Sequence, residues 1–358
     1  MNIRIKDICR FGKKSDIKAG EGNTKGKYMF FTSSIDKDKR IDKFDYDEEG
    51  IIMGTGGNAT LHYYSGKFAV STDCLVLLPN SSYKCKYLYY FFLHNMRVLE
   101  GGFRGAGLKH TSKSYIENIE LTKTHSLLEQ DKIISVLSNI DNTIVLQNKR
   151  LKLLNELTRS LFIEMFGDLF TNPMNWNKQP LGAICNKVIR YPTFYGMEYL
   201  ETGIKVIRIS NILADGRMDL DDKKYVFIDD IVNKDFPETI IEMNDIIMAV
   251  RGDGSAAKRI GIIREPQLVG ANISPNLIRI KVDCNKLNPI YMFYYLTGEV
   301  GQKYLDVYVN KTAKKNIAAK DIVKVSIYVP PLDLQNRFAE YVSSIDKSKY
   351  SSFSHLSA

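Results

Sequence analysis

The chain repeats itself, and the repeat limits what it can fold into. Leu127, Gln130, Ser138, Ile140 and Asp141 recur as Leu332, Gln335, Ser343, Ile345 and Asp346 at a constant offset of 205 (335 minus 130). Lys132/Arg337, Ile133/Phe338 and Leu137/Val342 keep their chemistry across the same offset. Earlier segments repeat as well. Ile5, Ile8, Cys9 and Ser34 match Leu181, Ile184, Cys185 and Ser210 at 176 (184 minus 8). Ile51-Ile52-Met53 matches Ile246-Ile247-Met248 at 195 (246 minus 51), and Tyr87 and Tyr90 match Tyr291 and Tyr294 at 204 (291 minus 87). The offset grows along the chain, so the second copy carries longer loops on a shared framework. A duplicated chain of 358 residues is expected to form two related domains. A scaffold kept while its loops diverge is the pattern of a variable binding surface; duplication for structure alone is the plainer reading.

Each copy shows the same order of local signals. Short β-type runs, Lys27 to Phe31 and Lys205 to Ile209, come first. A buried-strand signature follows, Ile51-Ile52-Met53 and Ile246 to Val250, running into a Gly-rich loop. An aromatic helix is predicted over Lys86 to Leu99 and over Pro289 to Gly298. A last strand, Ile119 to Leu121 or Val325 to Val329, leads into a helix, and Pro330-Pro331 fixes the start of the second one.

The first of those helices has a heptad seam: Ile133, Leu137, Ile140, Ile144, Gln147, Leu151, Leu154, Thr158, Leu161 and Met165. A strict 3.5-residue repeat favours helix–helix pairing over packing on a sheet. From Ile133 to Met165 the rod is roughly 50 Å long, and Gly167 ends it. The second helix keeps the seam at Phe338, Val342 and Ile345, then loses it at Lys349 and Ser352. The stretch from about Gln147 to Met165 is therefore expected to stay bare and to be covered by another chain, a second copy included.

The net charge of +9 and pI near 9.0 favour a polyanionic partner, although a lysine-rich bias gives the same excess. No run of about 18 apolar residues exists, so no membrane span is expected, and the start does not read as a signal peptide. Cys9, Cys74, Cys85, Cys185 and Cys284 are odd in number and form no CxxC pair, which suits reduced thiols of a cytoplasmic protein.

Several pieces, taken in order, resemble the specificity (S) subunits of type I restriction–modification systems. They are Leu127 to Ile133 opening a helix, then Asn139-Ile140-Asp141, and the helix end Leu157 to Gly167. The restart from Trp176 through Leu181 to Cys185 and the run Pro330-Pro331-Leu332-Asp333-Leu334-Gln335 complete the set. The resemblance covers essentially the whole chain. It implies an α+β fold: two homologous target-recognition domains, each a small mixed β-sheet plus helices, separated by long coiled-coil-forming helices. The boundaries are 1–125 and 168–329 for the recognition domains, with spacer helices at 126–167 and 330–358. It further implies that each domain reads one half of a bipartite site on double-stranded DNA. Methyltransferase (M) and restriction (R) subunits would dock on the chain and perform the chemistry, so S-adenosylmethionine and ATP would be bound by them and no cofactor by this chain. The short second helix departs from the family pattern, where it is usually about as long as the first.

Phosphate contacts from Lys and Arg supply affinity, and side chains at base edges supply specificity. In the first copy the candidates are Thr55 and Asn58 in the Gly54–Asn58 loop, Arg104 in its glycine frame, and Lys109 and Lys113. In the second they are Arg190, Arg208, Asn211, Arg251, Lys258, Arg259, Lys311, Lys314 and Lys315. Each basic residue has a plain alternative as a solvated surface charge.

Other chemistry finds little support. Phe103-Arg104-Gly105-Ala106-Gly107 fits the FxGxG of methyltransferase cofactor loops, but it follows a helix, and no Asn-Pro-Pro-Tyr or Asp-Pro-Pro-Tyr motif accompanies it. Gly54 to Asn58 lacks the GKS/T of a phosphate-binding loop. The histidines show no metal-ligand spacing with the cysteines. The aromatic stripes could stack bases, but core packing explains them as well. Two competing readings stay open: recognition domains fused to their own methyltransferase or nuclease centre, and a coiled-coil scaffold that binds only proteins.

Overall fold

Residues that recur in the sequence make the same joints twice. The computed structural model describes residues 3–121, 123–190, 198–250, 259–309 and 316–350. Its contacts divide the chain into two units, Met1–Asn148 and Lys149–Ala358. Each unit closes its own neck. Strand Ile3–Arg4 pairs antiparallel with Glu120–Leu121, and strand Lys178–Pro180 with Ser326–Tyr328. A one-turn helix follows each first strand, Ile5–Ile8 and Leu181–Ile184.

The first unit has a six-stranded sheet in the order Cys9–Phe11, Cys74–Pro79, Tyr46–Gly54, Thr60–Val70, Tyr28–Phe31, Arg40–Ile41. Only Tyr28–Phe31 runs parallel to a neighbour, with Met29 opposite Phe68 of Thr60–Val70. The run Ile51-Ile52-Met53 is buried because the strand has a core on each face. Successive side chains of a strand point to opposite faces. Ile51 and Met53 therefore pack with Leu77 and Leu88, while Ile52 packs with Phe68 and Val76.

The second unit solves the same problem with a split sheet. One sheet runs Cys185–Arg190, Leu277–Val282, Ile246–Ala249, Ile260–Ile262; a second runs Val226–Ile228, Ile204–Ile207, Asn272–Ile273. Ile207 lies parallel to Ile273 as Phe31 lies parallel to Val70. The single strand Thr60–Val70 of the first copy thus corresponds to two short strands here, with residues 263–271 inserted between them. Most of the growth in offset comes earlier in the chain, between Ser34/Ser210 and Ile51/Ile246, where it rises from 176 to 195. Ile246 and Met248 face the helix Pro289–Thr297, and Ile247 and Ala249 face Ile207 and Ile273. The split unit also buries an ion pair: Arg279 and Asp245, each 1% exposed, meet at 2.6 Å, and Arg279 also reaches Glu242 at 2.7 Å.

The long helix, Leu127–Phe166, has 40 residues, about 60 Å of rise. It starts a turn and a half before Ile133, where the heptad seam begins, and its first turn is capped: the Ser126 amide and hydroxyl both donate to the Glu129 carboxylate at 2.8 Å. It ends at Gly167, whose φ of 76° is the left-handed geometry glycine tolerates. The predicted aromatic helix of the first copy breaks at Asn95 into Cys85–His94 and Met96–Glu100.

The recurring glutamines are the joints between long helix and domain. Gln130 accepts from the Lys84 amide (2.8 Å) and donates to the carbonyls of Ser82 (3.1 Å) and His125 (2.9 Å). Gln335 accepts from the Asn288 amide (2.8 Å) and donates to the Pro330 carbonyl (2.7 Å). Both side chains are fully buried, which is tolerable only because they are partnered. Lys84 and Asn288 stand at the starts of the aromatic helices, so each glutamine clamps two helices together.

The bare stretch of the long helix lies elsewhere than expected. The second helix, Leu332–Tyr350, buries Phe338 and Val342. The Phe338 ring packs on Phe162 and Phe166 at 5.4 Å, and the Arg150 guanidinium donates to the Ser348 carbonyl at 2.8 Å. Thr158 is buried, and Leu151, Leu154, Leu161, Met165 and Ile345 are half-buried. Phe162 and Phe166, on the long helix but off the seam, carry much of this contact by packing against Phe338 and Tyr291, which a heptad count overlooks. Nearer its start the helix packs Ile133 on the first core and half-buries Leu137. Ile140 (49% exposed) and Ile144 (53%) stand open together with Val136, Val145 and Leu146. Among the described residues no helix is long and apolar enough to cross a membrane, and no His/Cys/Asp/Glu group could hold a metal. Burial pushes the Cys9 thiol up to about 12.

Candidate nucleic-acid interface

In the first unit two separate sequence segments are stitched into one loop surface. The hub strand Tyr46–Gly54 ends at Thr55. There the Thr111 amide donates to the Thr55 carbonyl at 2.9 Å, and the Gly57 amide donates to the Lys109 carbonyl at 2.9 Å. Arg104 and His110 exchange a pair of backbone hydrogen bonds, both 2.9 Å. This stapling brings Thr55, Asn58, Arg104 and Lys109 onto one surface. Asn58, Arg104 and Lys109 are exposed; Thr55 is half-buried and gives its hydroxyl proton to the Asp73 carbonyl at 3.0 Å. Two glycines make the loop possible. Gly105 has φ 139°, and a Cβ there would lie 2.8 Å from the Leu108 carbonyl oxygen. A Cβ on Gly102 would overlap the Tyr115 ring at 2.3 Å. Lys113 is held beside this surface, 3.6 Å from Glu117 and over the Phe11 ring at 4.9 Å.

The second unit repeats the staple. Val250 follows its hub strand as Thr55 follows the first one, and the Ile317 amide donates to the Val250 carbonyl at 3.1 Å. Val250 leads into 251–258, and Ile317 closely follows 310–315. Arg251, Lys258, Lys311, Lys314 and Lys315 lie outside the described residues. Arg259 is half-buried, and its guanidinium leans on the Ile212 carbonyl at 3.4 Å.

The other second-copy candidates are engaged by the fold. Asn211 is fully buried: its amide oxygen accepts from the Arg208 amide at 2.8 Å, and its Nδ2 donates to the Lys224 carbonyl at 3.2 Å. The expectation that Asn211 faces DNA is therefore corrected; the residue caps a turn from within. Arg208 donates to the same Lys224 carbonyl at 2.8 Å, and Arg190 donates to the Pro275 carbonyl at 2.8 Å. Both are half-buried and organise loops with at least one guanidinium edge. The FxGxG run 103–107 forms the stapled loop after a helix, not a strand-to-helix cofactor turn. His62 is buried and its Nε2 donates to the Ser34 carbonyl at 2.9 Å, with burial lowering its pKa. Leu108, in the same loop, projects 72% exposed between Arg104 and Lys109 in the sequence. Only its isolation after three small residues marks it in the sequence.

The chain is 24% identical over 371 residues to the specificity subunit of type I restriction enzyme MjaVIII from Methanocaldococcus jannaschii, covering 96% of this chain and 85% of that protein. It is 22% identical to the type I restriction enzyme EcoBI specificity subunit from Escherichia coli, over 83% of this chain and 66% of that protein. The crystal structure of the type I restriction–modification S subunit from M. genitalium shares the fold, with a TM-score of 0.67 at 16% identity over 100% of this chain and 92% of that one. The family pattern described as type I restriction modification DNA specificity domain matches residues 1–156 and again 173–352. Carrying that domain twice, the chain belongs to the type I restriction–modification DNA specificity family.

Proposed function

We propose that this chain is the specificity subunit of a type I restriction–modification complex and performs no chemistry itself. Each unit reads one half of a bipartite target on double-stranded DNA, and the 40-residue helix sets the spacing of the half-sites. Methyltransferase and restriction subunits dock on it in the cytoplasm, bringing S-adenosylmethionine and ATP. The observation that carries the reading is the repeated staple, Thr111 to Thr55 and Ile317 to Val250. In each unit it ties the residue just after the hub strand to a segment that follows the aromatic helix, which supports two copies of one reading surface.

Thr55, Asn58, Arg104 and Lys109 form the first reading surface, with Lys113 flanking it. Arg251, Lys258, Arg259, Lys311, Lys314 and Lys315 are assigned to the second, with Arg190 and Arg208 bracing it. The open apolar face at Val136, Ile140 and Ile144 suits a helix of a methyltransferase subunit, and a second copy of this chain is the other candidate.

The test is a methylation map of cells carrying this chain and its methyltransferase subunit, beside cells with Arg104→Glu. A two-part motif that loses definition in one half supports the reading. A single continuous motif, or S-adenosylmethionine binding by the purified chain alone, would sink it.

A further inference from the structure

We propose that Leu108 is a specificity-determining residue that reads a thymine through its C5-methyl group. The inference rests on the reading above, in which the stapled loop faces DNA. Residues 105–109 bridge Arg104 and His110, whose paired backbone bonds close the loop at its base. Phe103, 9% exposed, anchors that base in the core, and Gly105 folds back with its φ of 139°. The loop is thus built to hold a shape. At its tip Gly105, Ala106 and Gly107 carry no side chain beyond Cβ, so the backbone can come close to a neighbouring surface. Leu108 alone projects, 72% exposed, flanked by the exposed Arg104 and Lys109.

A lone aliphatic group held between two cations matches one feature of a base-pair edge. The cations satisfy phosphates or guanine acceptors, and the aliphatic group fits the only methyl in the major groove. An apolar wedge between base steps is the other use of such a residue, and it would be indifferent to that methyl.

The experiment uses the chain assembled with its methyltransferase subunit and a duplex bearing the mapped motif. Each thymine of the first half-site, on either strand, is replaced in turn by deoxyuridine, which lacks the methyl. For the unmodified chain, one replacement should weaken binding roughly four-fold, the change that one buried methyl carries. Leu108→Ala should bind the normal duplex with a similar loss and show no further loss on that replacement. Equal sensitivity of both proteins to every replacement would overturn the assignment, as would a half-site without thymine. A uniform loss by Leu108→Ala on all sequences would indicate a wedge and overturn it too. Arg104→Glu in the same assay separates the two ideas. If it abolishes binding while Leu108→Ala does nothing, the loop faces DNA and only the leucine assignment fails; if neither matters, the interface itself is wrong.

Discussion

Replacing Gln335 with leucine tests whether the recurring glutamine is a structural clamp. The side chain is fully buried and makes two hydrogen bonds, 2.8 Å from the Asn288 amide and 2.7 Å to the Pro330 carbonyl. Leucine keeps much of the volume but leaves that amide and that carbonyl without their Gln335 partners. Each orphaned buried group costs about 1–3 kcal/mol. Extra apolar burial offsets about 1–2 kcal/mol, so the net loss should be about 2–4 kcal/mol. The chain has a single tryptophan, Trp176, in this same unit, with its Nε1 donating to the Phe166 carbonyl at 2.9 Å. Its fluorescence in urea therefore follows the second unit specifically. With a slope of about 2 kcal/mol per molar, the midpoint should fall by roughly 1–2 M. Gln130→Leu, the matching change in the first unit, should leave the tryptophan transition in place. A Gln335→Leu midpoint within about 0.3 M of the parent chain would mean that the clamp contributes little, and the repeat would need another explanation.

Three further outcomes are expected. Arg104→Ala should lower the affinity of the assembled complex by about 1–3 kcal/mol and relax one position of one half-site if the guanidinium reads a guanine. If it touches only phosphate, all sequences should weaken alike and the salt slope should fall by about one; binding titrations at several salt concentrations separate these results. Adding one heptad within the exposed part of the long helix lengthens it by about 10 Å, close to three base pairs. Methylation mapping should show a longer spacer and unchanged half-sites, and altered half-sites would refute the spacing role. Arg279→Met should cost the second unit about 3–5 kcal/mol at neutral pH, because it strands the buried Asp245. Burial already pushes the Asp245 carboxyl up, against the pull of the Glu242 amide and Arg279. A carboxyl raised in the folded state stabilises that state below its ordinary range and loses the contribution as pH rises through the folded value. The cost of Arg279→Met should therefore shrink as the pH is lowered, and a pH-independent cost read from Trp176 fluorescence would contradict this account.

The framework was legible because apolar alternation and duplicated positions report burial directly. Ile51-Ile52-Met53 and Ile246-Ile247-Met248 do lie at the centres of both sheets. Three things were not legible, for separable reasons. Asn211 carries the same chemistry whether it faces a base or caps a turn, and only its burial distinguishes the two. Arg279, in Leu277–Val282, looks like the solvent-facing residue of an edge strand, since its partner Asp245 lies 34 residues away. The heptad count located a seam but could not see that Phe162 and Phe166, off that seam, would be covered by Phe338 and Tyr291. The helix start was legible in the run Leu127 to Ile133, and Ser126-Leu127-Leu128-Glu129 is also a capping-box pattern. Within the reading surface, sequence identified the charged residues, while the staple between distant loops needed backbone geometry.

The closed necks bear on how such a chain can acquire a new target. Asn177 and Val329, at the two ends of the second unit's sheet region, are joined by one backbone hydrogen bond of 2.9 Å. In the first unit Ile5 and Ile119 are joined the same way at 3.0 Å. Ends that meet are the geometry in which a foreign module can be grafted without disturbing its host. Everything between Asn177 and Val329 could be exchanged as a cassette at two adjacent breakpoints, with neither long helix altered. Target choice and assembly would then evolve on separate parts of one polypeptide.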